Sequence, residues 1–207
     1  MVDRWINWYV GLDVGIRGAV FAINLDSEEC CFTDTPLGDP KYLANPKGSA
    51  KKENRYDLAG MLAALEPFAG GVLSKEAIRG FAGGYPTKEA QKTFGNGLWT
   101  MAAHVNRLEV REHEPSTWKS FMLAGVGGMR AEKHIAVELA RRLFPGAAEI
   151  FLTSKDGRAD AALLAYYEIL GEARRFELKA DHKRGIINYR PVRCRLIQVP
   201  EARRVWA

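Results

Sequence analysis

Two six-residue runs, Trp8–Asp13 (WYVGLD) and Ala19–Asn24 (AVFAIN), stand five residues apart near the start of the chain. No other feature constrains the fold as much. Both runs are rich in β-forming and apolar residues, and the link Val14-Gly15-Ile16-Arg17-Gly18 carries two glycines, so the pair reads as a β-hairpin. Neither run alternates strictly between apolar and polar residues. Strands of that kind are covered on both faces, which calls for a sheet with packed layers above and below it. The first run ends on Asp13. A carboxylate at the end of a buried strand is costly unless it is paired or meets a cation, and the adjoining glycines let a ligand or another backbone come close.

Further elements follow in mixed order. Glu29–Thr33 reads as a third strand. Residues 37–55, rich in Pro, Gly, Lys and Asn, read as a mobile loop. Leu58, Met61, Leu62 and Leu65 give helical spacing to 57–68, and a short strand is expected over 72–78. Residues 79–97 read as a glycine- and lysine-studded loop, 98–108 as a helix, 109–113 as a strand, and Pro115 as the start of a turn. Gly125–Arg130 reads as a flexible interruption. An amphipathic helix over 132–144 is stopped by Pro145-Gly146, and a strongly apolar helix over 160–170 is entered through Asp156-Gly157. The expected class is α/β, with a mixed five-stranded sheet flanked by helices. One domain over 1–170 and a basic extension over 171–207 are expected.

Of the 207 residues, 47% are hydrophobic and 27% charged, an ordinary globular balance. No apolar run approaches the ~20 residues of a membrane span, and the first residues lack signal-peptide architecture. A soluble protein of the cytoplasm is expected, in a bacterial or phage-infected cell, with an organelle as the other setting and no membrane partner. Cys30, Cys31 and Cys194 suggest neither a disulfide framework nor a zinc pair, and read as reduced filler. The net charge of +5 is concentrated in 171–207, where ten Lys/Arg stand against four acids. Such a segment suits a polyanion, although a solvated face has the same composition.

Asp156 and Asp160 lie four residues apart in Lys155-Asp156-Gly157-Arg158-Ala159-Asp160. That spacing places both on one side of a first helical turn, where they either cap the helix or form part of a site. Glu76 ends the segment Val72-Leu73-Ser74-Lys75-Glu76, which is less apolar than an interior strand normally is. Taken singly, each acid has an ordinary structural explanation. Together, carboxylates from two strand ends and a helix entrance match what Mg²⁺-dependent phosphodiester hydrolysis needs. Hard oxygen donors suit that ion, and two ions about 4 Å apart can activate water and stabilise the leaving oxygen. His104, His113, His134 and His182 are scattered without zinc-site spacing, and Gly125-Val-Gly-Gly lacks the Gly-Lys-Ser/Thr of a P-loop. The GLDVG segment also occurs in sugar kinases and actin-like ATPases, whose two domains need a longer chain.

In order, the segments GLDVGIRGAV, SKEAIRGF, FGNGLW, PSTWK, EKHIAVELARRLFP and KDGRADAALLAYY resemble the RuvC-like Holliday-junction resolvases, and in particular their divergent phage and organellar branch, which includes the chloroplast resolvase. The resemblance spans residues 8–168 and implies a ribonuclease H-like fold acting as a homodimer on four-way DNA junctions. It implies Asp13, Glu76 and Asp160 as ligands of Mg²⁺, with Mn²⁺ able to substitute, and Asp156 as a further metal-site acid. Lys133 matches a lysine the family keeps at the start of this helix. Lys119, and Arg79, Phe81, Tyr85, Lys88 and Lys92 in the 79–97 segment, are candidates for contact with DNA, the cations on phosphates and the aromatics against unpaired bases. Two further readings stand beside this one: another ribonuclease H-like nuclease, such as one that processes RNA, and a junction-binding protein without cleavage.

Overall fold

The structure is a computed structural model that describes residues 8–43, 51–78, 86–123, 133–183 and 189–199. The hairpin forms as expected. β1 (Trp8–Asp13) pairs antiparallel with β2 (Ala19–Asn24), and β2 pairs antiparallel with β3 (Glu29–Asp34). After β4 (Leu37–Leu43), β5 (Lys51–Tyr56) and helix α1 (Leu58–Leu65), strand β6 (Val72–Glu76) lies parallel to β1 on its other side. Helix α2 (Pro86–Val105) leads to β7 (Glu109–His113), which is parallel to β6. Helices α3 (Pro115–Met122), α4 (Lys133–Leu143) and α5 (Asp156–Lys183) follow, and a two-residue strand β8 (Arg195–Leu196) closes the order.

The main sheet runs β7-β6-β1-β2-β3-β8. An antiparallel three-strand meander with two parallel strands added on the far side of its first strand defines the ribonuclease H-like fold. The five expected strands are all present, and β8 adds a sixth, parallel to β3. Each face carries its own core. Val10, Leu12, Val20 and Cys31 pack with Met61, Leu65, Trp99 and Ala102 of α1 and α2. Phe21, Ile23 and Cys30 pack with Trp118, Val137, Phe144 and the apolar face of α5. β1 and β2 are buried on both sides, which explains why they lack polar alternation.

Three sequence expectations are corrected. Residues 37–55 are not simply a loop, because β4 and β5 pair as a separate two-stranded sheet. α2 begins at Pro86, so most of the expected 79–97 loop is helix. Its glycine at 95 serves tertiary packing, since a Cβ there would collide with the Tyr56 ring. Pro115 opens a helix rather than a turn, consistent with proline's preference for the first helical position. Its apolar residues Trp118, Phe121 and Met122 are buried.

α5 continues to Lys183 with a break at Gly171, whose φ of 62° is left-handed. Residues 189–196 then return to the core. The Tyr189 hydroxyl donates to the Phe121 carbonyl at 2.6 Å, Tyr166 donates to the Arg190 carbonyl at 2.9 Å, and Arg195 pairs with Glu29 at 2.8 Å. No helix among the described residues is long and apolar enough to cross a membrane.

Candidate active site

β1 and β6 are parallel neighbours with Leu12 opposite Lys75, so Asp13 and Glu76, the next residues, end side by side at one edge of the sheet. Both point to the α5 face. Helix α5 starts at the same edge and is pressed against β1 at Gly11, where a Cβ would run into the Ala161 carbonyl. That approach brings Asp160, in the first turns of α5, to the two strand ends. Asp13 itself lies over Gly157: a Cβ on that glycine would stand 2.6 Å from Asp13 Oδ2. The expected trio Asp13, Glu76 and Asp160 therefore meets at one place. Asp156 lies one turn earlier on α5 and adds its negative charge to the surroundings of Asp160.

Lys119, from α3, occupies the middle of this group. Its Nζ is 2.9 Å from Glu76 Oε1 and 3.6 Å from Asp160 Oδ2, and the ammonium stands 5.1 Å from the Trp118 ring centre. Lys92, from α2, lies 3.5 Å from Glu76 Oε2. These contacts set the charge states. Burial pushes Glu76 up, but Lys119 and Lys92 outweigh it and hold the carboxyl below its ordinary range. At Asp13 the balance is the other way: burial first, then the charges of Asp160 and Glu76, outweigh Lys92 and Lys119 and raise it to about 7. Asp160 is raised as well, chiefly by burial, with Lys119 opposing and Glu76 and Asp156 reinforcing. Burial works against the Lys119 ammonium, yet Asp160 and Glu76 raise its pKa overall.

The cluster is thus short of positive charge at Asp13 and Asp160. Glu76 Oε1 is buried and, despite its nearness to Lys119, receives no hydrogen bond of good direction. Three hard oxygen donors, two of them with unmet demand for charge, fit a divalent cation in kind. Their present arrangement surrounds the Lys119 ammonium, and among the described residues no three acidic, histidine or cysteine side chains stand at metal-ligating spacing.

Of the candidate DNA contacts, Lys92 and Lys119 line the carboxylate cluster. Arg79, Phe81 and Tyr85 lie outside the described residues, as do the side chains of Lys88 and Lys133. Sequence reasoning missed the polar groups that support the site. Ser74, Lys75 and Glu76 are all buried, and each has partners. Lys75 points to the opposite face, where it donates to Asn96 Oδ1 at 2.8 Å and pairs with Glu112. Ser74 points with Glu76 and donates to Glu168 Oε2 at 2.9 Å. Arg158, between the two α5 acids, forks onto Asp34 with bonds of 2.7 and 2.9 Å, stacks 4.3 Å from the Phe32 ring centre and ties the helix start to β3. The only local signal of this support is the unusual polarity of the VLSKE strand.

No protein-family model and no curated protein matches the chain. Among solved structures it is similar to Thermus thermophilus RuvC, with a TM-score of 0.45 at 16% identity over 79% of this chain and 96% of that one. A second structure, T. thermophilus RuvC in complex with a Holliday junction substrate, gives a TM-score of 0.45 at 13% identity over 78% of this chain and 92% of that one. A likeness of this depth assigns no family, and the fold class rests on the strand order and directions described above.

Proposed function

We propose that the protein is a structure-selective endonuclease that resolves four-way DNA junctions by metal-dependent phosphodiester hydrolysis, with Mg²⁺ as the working ion and Mn²⁺ able to replace it. The observation that carries this reading is the meeting of Asp13 and Glu76, at adjacent parallel strand ends, with Asp160 at the start of α5. The motif order, which resembles the RuvC-like resolvases, narrows a general nuclease to this substrate.

Asp13, Glu76 and Asp160 would hold the ion, with Asp156 as an outer acid. A bound divalent ion supplies a water of lowered pKa and charge neutralisation at the phosphate. The residues of the chain do the rest. Lys92 and Lys119 offset the repulsion between the acids and an incoming phosphodiester. The sheet and α5 hold the acids in fixed relation before substrate arrives, which is how a rigid scaffold favours the reaction.

Junction resolution needs two such sites, and a homodimer provides them. Helix α2 offers a surface for it: Phe94, Met101 and Val105 are large, apolar and exposed, and exposed Gly97 lies among them with open space where a Cβ would stand. An exposed glycine inside a helix costs about 1 kcal/mol relative to alanine, and close approach of a second helix accounts for keeping it.

The test uses purified protein with a synthetic four-way junction, a fork and linear duplex, with Mg²⁺ or EDTA. Symmetric nicking of the junction with Mg²⁺ is expected. Equal cutting of duplex would point to a less selective ribonuclease H-like nuclease, and tight junction binding without cutting to a non-cleaving binder.

A further inference from the structure

Two turns along α5 from Asp160 lies Glu168, almost fully buried at 4% exposure. Its Oε2 accepts from Ser74 Oγ at 2.9 Å and stands 2.8 Å from His113 Nε2, while its Oε1 takes Arg111. Ser74 Oγ and His113 Nε2 are themselves 3.2 Å apart. The ring of His113 also packs edge-on against Tyr167, with centres 5.0 Å apart.

The partners sit on the elements that carry the site. Ser74 is two residues before Glu76 on β6 and faces the same way, and His113 on β7 is the register partner of Glu76. Arg111 is the register partner of Ser74. One carboxylate on the helix of Asp160 therefore grips both strands around Glu76. The group does not form a nucleophilic relay, because Ser74 and Glu168 meet the same ring nitrogen, whereas base and orienting acid in such a relay use opposite ones.

Apolar packing alone does not fix the helix along its axis. Gly11 sets how close α5 comes to β1, but contacts between small residues are non-directional and permit sliding. Directional bonds in a buried, well-satisfied network do not. A slide of α5 by a fraction of an ångström would change the separation of Asp160 from Glu76 while leaving the fold intact.

We infer that Glu168 is a positioning residue that sets the spacing of Asp160 and Glu76 and thereby the affinity of the carboxylate cluster for a divalent cation. This inference rests on the metal-site reading above. Its basis in this chain is the juxtaposition of Ser74, Arg111, His113 and Glu168 behind the site.

The test is Mn²⁺ titration by electron paramagnetic resonance on the full chain, beside melting temperature and junction cleavage. Glu168→Gln is compared with Val137→Ala, a cavity variant in the same core on a helix that carries none of the acids. Glu168→Gln should bind Mn²⁺ about tenfold more weakly, the usual scale for a group that orients metal ligands, and lose kcat in parallel with KM for DNA unchanged. Val137→Ala should melt earlier yet keep wild-type Mn²⁺ affinity. Equal Mn²⁺ affinity in the two variants overturns the inference. Should Glu168→Gln fail to fold, Glu168→Asp keeps the charge on a shorter arm and is expected to lose part of the affinity; unchanged affinity there overturns it equally. Wild-type protein that binds Mn²⁺ but leaves every DNA intact rejects the nuclease reading alone. Wild-type protein that binds no Mn²⁺ rejects both.

Discussion

Gly157 lies against Asp13 so closely that a Cβ on it would stand 2.6 Å from the carboxylate Oδ2. The same Cβ would meet the Arg17 carbonyl at 2.7 Å and Gly18 Cα at 2.9 Å, so backbone would have to move as well. Alanine favours a helix over glycine by about 1 kcal/mol, but overpacking against backbone costs about 1–3 kcal/mol. Gly157→Ala should therefore be destabilised in urea, and it should lose cleavage out of proportion to its stability because Asp13 is displaced. A stabilised, fully active variant would show that the contact between Asp13 and α5 is slack.

Asp13→Asn separates charge from shape. The acid has an ordinary value of 3.8 and is raised to about 7 in the folded protein. Above pH 7 the folded state must carry an ionised carboxylate that the unfolded chain carries more easily, so ionisation lowers stability there. Well below pH 3.8 the group is neutral in both states. Without metal, Asn should thus raise the melting temperature at pH 8 and have a much smaller effect at pH 4. With Mg²⁺ the gap should narrow, because an ion at about 100 times its dissociation constant stabilises the wild type by about 2.7 kcal/mol and the variant by much less. Cleavage should be lost while junction binding persists. Retained cleavage would remove Asp13 from the site.

Glu168 carries an acid-sensitive part of the stability. Burial alone would raise it, but His113, Ser74 and Arg111 together lower it from 4.5 to about 2. A depressed acid contributes stability that is fully present above its unfolded value and is lost as pH falls through its folded value. Glu168→Gln should therefore be less stable than wild type by about 1–3 kcal/mol at pH 7, the cost of leaving buried groups unsatisfied, with the gap closing between about pH 4.5 and 2. Paired denaturant curves at several pH values check this, and a constant gap would deny that the carboxylate is charged.

How much of this was legible in the sequence differs between elements. β1, β2 and β6 announce themselves as short apolar runs, and Asp13, Glu76 and Asp160 stand out because they end or open such runs. β4 and β5 do not, because their residues are as polar as those of a loop. The start of α2 is masked by Gly95, Asn96 and Gly97, whose roles are tertiary: Gly95 makes room for Tyr56 and Asn96 accepts from Lys75. Glu168 shows nothing locally, since its partners Arg111 and His113 lie 57 and 55 residues away in the chain. Lys119 reads as a surface phosphate contact, and only the fold reveals that it sits among the acids.

The α2 face gives a prediction about assembly. Phe94, Met101 and Val105 are 63%, 46% and 51% exposed, so a charge there disturbs little in the monomer. Met101→Glu should change folding stability by no more than about 0.5 kcal/mol, as exposed substitutions do. If α2 joins two copies, sedimentation should show the variant as a monomer where the wild type is a dimer, and paired cutting of the junction should fall to single nicks. A dimeric Met101→Glu protein would place the interface elsewhere.

Lys119→Met makes the role of the central ammonium measurable. In the absence of metal, Lys119 offsets the negative charge of both Glu76 and Asp160, at 2.9 and 3.6 Å, with Lys92 adding to it at Glu76, so its removal leaves partly buried acids to repel one another more strongly. The variant should melt earlier at pH 8 than wild type. At pH 4 the gap should be smaller, because the acids take up protons as their charges lose a partner. A divalent ion supplies the missing charge, so Mg²⁺ should raise the melting temperature of Lys119→Met more than that of wild type and bring the two together. Cleavage should nonetheless remain low, because the lysine also offsets repulsion of the phosphodiester. Thermal melts with and without Mg²⁺ decide the matter. An equal Mg²⁺ response in the two proteins would mean that Lys119 and the ion do not share the same acids.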